Sequence, residues 1–229
     1  MRTSNVRPEA PERPSERRPP GGGRATQAGR SARTRGALLE SAARGLSRSG
    51  YGNLVLEQVA SDAGYTRGAL YHQFKDKQDL TLAVIDWAIE TWGREVEPLV
   101  ERESDPAAAL LAMARGHAVY CRRGVARMPI ALRLEFGGQD HPVGREVERS
   151  YEMLVQQCLG LINAGRRKGT IPPGPPARAV ALAFVGALEG VVNVLTGQAP
   201  HDELLAARAV AGVLGLDPVA VARHRTHGD

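Results

Sequence analysis

Apolar residues recur at three- and four-residue spacing from Ser31 onward, which is the period of a helix with one buried face. The buried face of the first helix consists of Leu38, Leu39, Ala42, Ala43 and Leu46. This helix is predicted to end at Gly50 and a second one at Gly64, because glycine readily adopts the left-handed conformation that terminates helices. The second helix buries Leu56, Val59, Ala60 and Ala63.

Two more helix starts follow Gly64. Thr66 is predicted to cap a third helix with its hydroxyl group. Asp76 is predicted to cap a fourth, with Asp79 three residues on as its capping-box partner. The apolar side of the third helix is Ala69, Leu70 and Phe74. Two short helices joined by a glycine turn, with the first helix across them, predict a helix-turn-helix unit over residues 31–80.

The rest of the chain keeps the helical period, with breaks at segments rich in proline, glycine or aspartate. Helices are predicted near residues 77–101, 106–122, 125–136, 142–167, 176–197 and 201–214. No segment alternates convincingly with the period of two that a strand requires. The predicted fold class is therefore all-α, with about nine helices in total.

The last two predicted helices each carry a long apolar stripe. The stripe near residues 176–197 consists of Val180, Phe184, Ala187, Leu188, Val191 and Leu195, with Gly186 and Gly190 beside it. The stripe near residues 201–214 consists of Leu204, Leu205, Val210, Val213 and Leu214. The two glycines permit a close approach of another helix to the first stripe.

The N-terminal arm, residues 1–30, contains proline and glycine throughout and almost no large apolar residue. It cannot bury enough surface to offset the entropy of ordering and is predicted to be disordered. Residues 1–35 contain nine Arg and three Glu, a charge of +6, whereas the whole chain carries +5. Such a basic arm is typical of a protein that binds nucleic acid, but a solvated leader without a specific role has the same composition.

Composition bears on location and metal binding as well. No apolar run reaches the roughly 18 residues needed to span a bilayer. The N-terminus lacks the apolar stretch of a secretory signal, so a cytoplasmic location without membrane contact is expected. Cys121 and Cys158 have no zinc-ligand spacing and are predicted to be free thiols. His117 and Cys121 could hold a metal ion only with further ligands, and no cofactor is predicted.

The start of the third helix carries the side chains that bear on function. In a helix-turn-helix unit this helix enters the major groove of DNA with its N-terminal end first. Thr66 and Arg67 are then placed to bond phosphates or bases. Gly68 has no Cβ, which allows the backbone to approach a phosphate or base edge closely. Helix packing within the chain is the alternative reason for this glycine.

The predicted DNA-binding surface also includes Tyr71, His72 and Lys77. Tyr71 and His72 lie one turn along the same helix and can reach backbone oxygens of DNA. Lys77 lies in the first turn of the fourth helix, where free N–H groups already favour a phosphate. Each has an alternative interpretation. Tyr71 could be a half-buried core ring, His72 a neutral surface histidine and Lys77 a solvated charge.

The segment Gly50 to Leu80, GYGNLVLEQVASDAGYTRGALYHQFKDKQDL, closely resembles the DNA-binding signature of TetR-family transcriptional regulators. The match includes the Thr-Arg-Gly-Ala-Leu-Tyr run, Phe74, Lys77 and Leu80, and it covers about 50 residues, roughly 31–80. The DNA-binding residues that the resemblance implies are Thr66, Arg67, Gly68, Ala69, Tyr71, His72 and Lys77. Leu54 and Val55 depart from the pattern, because the family usually has Thr followed by Ser or Thr there, which removes a hydroxyl cap.

The resemblance also implies an organisation for the rest of the chain. Residues 81–215 would form a ligand-binding and dimerisation domain, followed by a C-terminal tail over 216–229. The helices near 176–197 and 201–214 would pair with those of a second copy in a four-helix bundle, unless their stripes are core within one chain. Such a homodimer binds a pseudo-palindromic DNA site as a repressor and is released by a small-molecule effector.

The effector site is predicted on the helix near 106–122, where one face carries Met113, His117, Tyr120 and Cys121. The residues predicted to close around this face are Trp87, Met128, Phe136 and Phe184. A mixed lining of this kind suits a small, largely hydrophobic molecule. Ordinary core packing explains each residue equally well.

Other functions remain possible from the sequence. No nucleophile motif, dinucleotide loop or metal cluster is present, so no catalytic residue is predicted and an enzyme is not expected. A non-specific architectural DNA-binding protein would account for the basic arm but not for the large, nearly neutral remainder of the chain. An activator of the same family would have the same sequence features.

Overall fold

The structure is a computed structural model, and it describes residues 27–125 and 127–217. Over these residues the chain forms nine helices and no strands, as predicted. The first four are α1 (Gln27–Ser49), α2 (Leu56–Asp62), α3 (Arg67–Gln73) and α4 (Lys77–Glu101). They are followed by α5 (Pro106–Cys121), α6 (Met128–Phe136), α7 (Pro142–Lys168), α8 (Ala177–Leu195) and α9 (His201–Val213).

The helix ends follow the local signals in the sequence. Gly50, Gly64 and Gly169 have φ angles of 73°, 77° and 76°, which let the chain turn after α1, α2 and α7. Asp76 Oδ1 accepts a hydrogen bond from the Asp79 N–H at 2.8 Å and caps α4. The α2 cap at Val55 makes no side-chain hydrogen bond, as its missing hydroxyl predicts.

The boundary of the N-terminal arm differs from the prediction. Helix α1 begins at Gln27, so residues 27–30, predicted to be disordered, form its exposed first turn. The turn extends a long helix whose later residues pack in the core, and extension adds one hydrogen bond for each residue ordered. The predicted disorder of residues 1–26 and the last part of the predicted tail, residues 218–229, lie outside the described residues.

One continuous hydrophobic core joins the two predicted domains. Helices α1, α2 and α3 pack together around Leu38, Leu70 and Phe74, which are almost fully buried. Helix α1 also packs against α4 and α6, and α5 packs against α4, α7 and α9. The helix-turn-helix unit is therefore attached to the remainder through both α4 and α6.

Helix α8 meets the length and composition criteria for a membrane span, although the sequence contains no uninterrupted apolar run of that length. It is 19 residues long, and only 33% of its most apolar window is buried within the chain. Its buried side packs against α7 and α9, and Arg178 and Glu189 interrupt its apolar sequence. A core helix of a soluble bundle passes the same criteria, so this helix by itself is weak evidence for a membrane.

Candidate nucleic-acid interface and ligand cavity

Helix α3 is held by its cap and by two buried side chains. The Thr66 hydroxyl accepts a hydrogen bond from the Ala69 N–H at 3.2 Å, as predicted for the cap. Leu70 is fully buried and Phe74, directly after the helix, is 1% exposed. These contacts fix the orientation of the helix, so its opposite face is presented to solvent.

That solvent-facing side carries Arg67, Gly68, Tyr71 and His72, all of which are exposed. A Cβ added to Gly68 would meet only the Thr66 hydroxyl, at 3.8 Å, so packing within the chain does not require glycine here. Tyr71 is 43% exposed and lies below the Arg67 guanidinium, 5.3 Å from ring centroid to Cζ. It is therefore not a core ring.

Arg67 also forms an ion pair with Glu57 of α2, at 2.9 Å. Both side chains are at least half exposed, so the pair contributes at most about 1 kcal/mol to stability. A phosphate or a base edge can replace the carboxylate at little cost. The ion pair thus positions the arginine on the surface, although the stability of the fold does not depend on it.

Lys77 differs from the other predicted DNA-binding residues. Its ammonium group donates hydrogen bonds to the carbonyl oxygens of Tyr51 at 2.8 Å and Gly52 at 3.0 Å, and approaches that of Leu54 at 3.4 Å. It also lies 4.8 Å from the centroid of the Tyr51 ring. Because an ammonium has three donors, a phosphate contact would have to replace one of these bonds. The structure gives Lys77 a role in fixing the α1–α2 loop.

The same loop is held from the other side by α6. Glu135 accepts hydrogen bonds from the backbone N–H groups of Tyr51 at 2.7 Å and Gly52 at 2.6 Å. The Tyr51 ring packs edge-on against Phe136, at 5.0 Å between centroids, and Phe136 stacks on His141 at 4.3 Å. We call this set of contacts, formed by Lys77, Glu135 and Phe136 with residues 51–54, the loop clasp.

The cavity lies between α4, α5, α6, α7 and α8 and has a volume of about 240 Å³. Four of the eight predicted effector residues line it: His117, Tyr120, Cys121 and Met128. Most of the remaining wall is apolar or aromatic, and it includes Ile85, Ile89, Trp92, Leu132, Val147, Tyr151 and Leu154. Two carboxylates also line it, that of Glu97 on α4 and that of Glu189 on α8.

The other four predicted effector residues do not reach the cavity. Met113 and Phe184 are fully buried elsewhere in the core, where Met113 contacts the thiol of Cys158. Phe136 belongs to the loop clasp. Trp87 does not line the cavity. The tryptophan that does so is Trp92, which was not predicted from the sequence. Helical spacing shows that an aromatic residue faces the core, but it does not show which part of the core contains a cavity.

His117 is neutral in this environment, because burial lowers its pKa to about 4. Its Nδ1 accepts a hydrogen bond from the Trp92 indole N–H at 3.0 Å, so the ring proton resides on Nε2. That nitrogen lies 3.4 Å from the Cys121 sulfur, whose pKa burial raises to about 12. In the described part of the chain no third histidine, cysteine or acidic residue joins this pair to form a metal site.

Glu189 and Tyr151 form the other polar part of the cavity. Burial raises the pKa of the Glu189 carboxyl, and the nearby Tyr151 phenol and Arg133 guanidinium oppose that effect. Burial, with the Glu189 carboxylate beside it, also raises the pKa of Tyr151. Glu189 Oε2 is buried and has no hydrogen-bond partner among the described residues. Such an atom is costly to bury unpaired.

Helices α8 and α9 leave an apolar face uncovered. Val180, Phe184 and Leu188, members of the predicted stripe, are buried within the chain. The uncovered face of α8 is instead Leu182, Gly186, Gly190 and Val194, spaced four residues apart, with Leu205 on α9. Leu182 is 52% exposed and Val194 is 74% exposed. We call this set the α8–α9 face.

Comparison with known proteins relates the helix-turn-helix unit to a family. Residues 38–84 match the family described as bacterial regulatory proteins, tetR family. The HTH-type transcriptional repressor BepR of Brucella suis is 27% identical over 171 residues, which cover 71% of this chain and 80% of BepR. The HTH-type transcriptional regulator CymR of Pseudomonas putida is 39% identical over 67 residues, only 29% of this chain and 33% of CymR.

The fold of most of the chain also has counterparts among solved structures. The crystal structure of AibR in complex with isovaleryl coenzyme A and operator DNA superposes with a TM-score of 0.65. It is 20% identical and covers 80% of this chain and 100% of AibR. At this identity the likeness establishes the arrangement of helices and does not extend to the ligand.

Proposed function

Since the chain belongs to the TetR family of transcriptional regulators, which bind DNA, we propose that it is a repressor released from a pseudo-palindromic operator by a small-molecule effector. The DNA contacts would come from the exposed side of α3: Thr66, Arg67, Gly68, Ala69, Tyr71 and His72. Lys77 would act through the loop clasp, by holding the α1–α2 loop against the helix-turn-helix unit.

The observation that carries this proposal is the dual position of α6. Its Met128, Pro129 and Leu132 line the cavity, and its Glu135 and Phe136 hold the α1–α2 loop. A molecule that enters the cavity and displaces α6 therefore changes contacts to the DNA-binding unit. Because packed helices shift as whole elements, a small displacement at the cavity is passed to the loop clasp.

An operator read by two recognition helices requires a dimer. We propose that the α8–α9 face forms the dimer interface. Its exposed leucine and valine side chains need covering, and its two glycines, with no heavy atom within 4 Å of an added Cβ, permit close helix approach. Val194→Glu would place a charge in this interface and should give a monomer in sedimentation experiments. Leu134→Glu, at a 79% exposed site on α6, should leave the dimer intact.

The primary test is selection of bound duplexes from a random DNA library at about physiological salt. Enrichment of one pseudo-palindrome is expected, and Val194→Glu should lose the paired half-sites. Binding without enrichment would contradict a sequence-specific repressor and favour the architectural role. Reporter expression from the selected site, with and without the protein, then separates a repressor from an activator.

A further inference from the structure

The charges around the cavity are one-sided. Among the described residues its lining contains two acidic side chains, Glu97 and Glu189, and no lysine or arginine. Glu97 is exposed, whereas Glu189 places a buried oxygen inside. A carboxylate or phosphate ligand would meet repulsion here and no counter-charge. The lining therefore disfavours anions.

Arg133, the arginine that acts on the charge of Glu189, already has its own partners. Its guanidinium makes two hydrogen bonds to Glu148, at 2.8 and 3.1 Å, and its Cζ lies over the Tyr151 ring, 4.5 Å from the ring centroid. It lowers the pKa of Glu189 only at a distance and makes no hydrogen bond to it. The Tyr151 phenol interacts with the carboxylate and lowers its pKa, but Glu189 Oε2 still has no hydrogen-bond partner among the described residues.

We propose that the effector is a small amphipathic cation, whose amino or ammonium group binds Glu189 Oε2 and whose apolar body packs against Ile89, Trp92 and Tyr120. This inference rests on the proposed function and specifies the ligand class of the same cavity. A cation supplies both the missing hydrogen-bond donor and the missing counter-charge. Aromatic rings beside the carboxylate add cation–π attraction.

The size of the cavity limits the ligand. An apolar cavity of about 150 Å³ already admits benzene, so about 240 Å³ accommodates one ring with a short chain. Phenylbutylamine, phenylbutanol and phenylbutyrate share one such body and carry a positive, neutral and negative head at neutral pH. They differ only in the feature that the proposal concerns.

Calorimetric titration of the full-length protein with these three compounds, without DNA, tests the proposal. The amine should bind at least about tenfold more tightly than the alcohol, because a hydrogen bond to a charged group contributes about 1.5–3 kcal/mol. The acid should bind more weakly than the alcohol. Glu189→Gln should make the amine and the alcohol bind equally. Glu101→Gln, at an exposed carboxylate of α4 outside the cavity lining, is the control and should keep the preference.

Several results would overturn the proposal: equal binding of the acid and the amine, an unchanged preference in Glu189→Gln, or no binding of any compound at about millimolar concentration. The thermal midpoint of Glu189→Gln shows whether that variant is folded. A parallel measurement of operator affinity separates the two proposals. If the amine binds but operator affinity is unchanged, effector-controlled release fails and the ligand class stands. If phenylbutyrate releases the operator, the ligand class fails and release stands.

Discussion

The recognition unit and the cavity are built in opposite ways. The recognition unit comes from one continuous stretch of roughly 50 residues, and the side chains proposed to act there are exposed and loosely paired, like Arg67 with Glu57. The cavity takes residues from Ile85 to Glu189, on five helices, and most of its polar groups are buried or partly buried. Exposed groups can exchange partners with DNA at little cost, whereas buried groups are sensitive to any change of charge.

The largest effect is expected when pH changes the charge inside the cavity. The pKa of His117 is lowered to about 4 in the folded protein, so between pH 6.5 and pH 4 the unfolded chain binds more protons. The contribution of His117 to the free energy of unfolding is therefore fully present above pH 6.5. As the pH falls toward 4, the free energy of unfolding decreases by up to about 3 kcal/mol. Urea unfolding at several pH values, with the wild type and His117→Gln, measures this.

His117→Gln should unfold with a much flatter pH dependence over this range. His72→Gln, on the exposed face of α3, leaves His117 in place and should keep the steep pH dependence of the wild type. If the free energy of unfolding had the same pH dependence in the wild type and in His117→Gln, protonation of His117 would not control stability in acid.

The next effect concerns the recognition unit. Arg67→Ala should weaken operator binding by about tenfold to a hundredfold and relax base preference, because a base or phosphate contact is lost. Its stability should change by less than about 0.5 kcal/mol, since the side chain is exposed. Fluorescence anisotropy with the selected operator and a scrambled duplex measures both affinity and preference.

Glu57→Gln is the matched control because it breaks the same ion pair but keeps the arginine. Its operator affinity should stay the same or rise. If Glu57→Gln lost as much affinity as Arg67→Ala, the ion pair itself, and not contact with DNA, would be the source of the effect.

A smaller effect is expected at the loop clasp, which joins the two regions. Glu135→Gln replaces one acceptor oxygen by an NH₂ group, so the N–H of either Tyr51 or Gly52 loses its partner. The free energy of unfolding should fall by about 1–2 kcal/mol. Urea unfolding measures this, and a reduced response of operator affinity to an effector would support transmission through α6.

Glu148→Gln provides the comparison, because it removes a carboxylate from an exposed pair with Arg133. Glu148→Gln should lower the free energy of unfolding by less than about 1 kcal/mol. Equal losses in the two variants would mean that the clasp is no more than a surface ion pair.

The smallest effect on stability is expected at Gly68. Gly68→Ala adds a Cβ with no close neighbour in the chain and should stabilise α3 by a few tenths of a kcal/mol, less than the roughly 1 kcal/mol of a helix interior. Operator affinity should fall, because the Cβ would then face DNA. Thermal unfolding and anisotropy measure the two effects.

Gly45→Ala is the opposite case, since its added Cβ would lie 2.7 Å from Leu54 Cδ1. It should destabilise the protein. If Gly68→Ala kept full operator affinity, this glycine would have no part in DNA binding.

The predictions from sequence were accurate where the signal was local. Thr66 and Asp76 cap their helices as predicted, and Gly50 and Gly64 have the left-handed conformation. A cap needs only a side chain and an N–H group two or three residues away, so the sequence contains the whole interaction. The helix order and the family resemblance follow from the same local patterns.

Predictions that depended on distant neighbours were less accurate. The free face predicted for α8 is largely core, because α7 and α9 cover Phe184 and Leu188 and leave Leu182 and Val194 open. Spacing shows that α8 has apolar residues on most of its surface but not which side its neighbours take. The DNA contact of Lys77 stays a prediction. The carbonyl oxygens that its ammonium group contacts lie more than twenty residues earlier, so its own helix could not predict them.

The sequence by itself determined the nine helices in the described residues and the caps and glycine turns between the first four of them, because turns, caps and periodicity act within a few residues. Only the tertiary structure decided the cavity, the loop clasp and the unpaired oxygen of Glu189. Each of these depends on side chains from helices far apart in the chain, and their meeting is fixed by how the helices pack. Sequence spacing describes one helix at a time and contains no record of that packing.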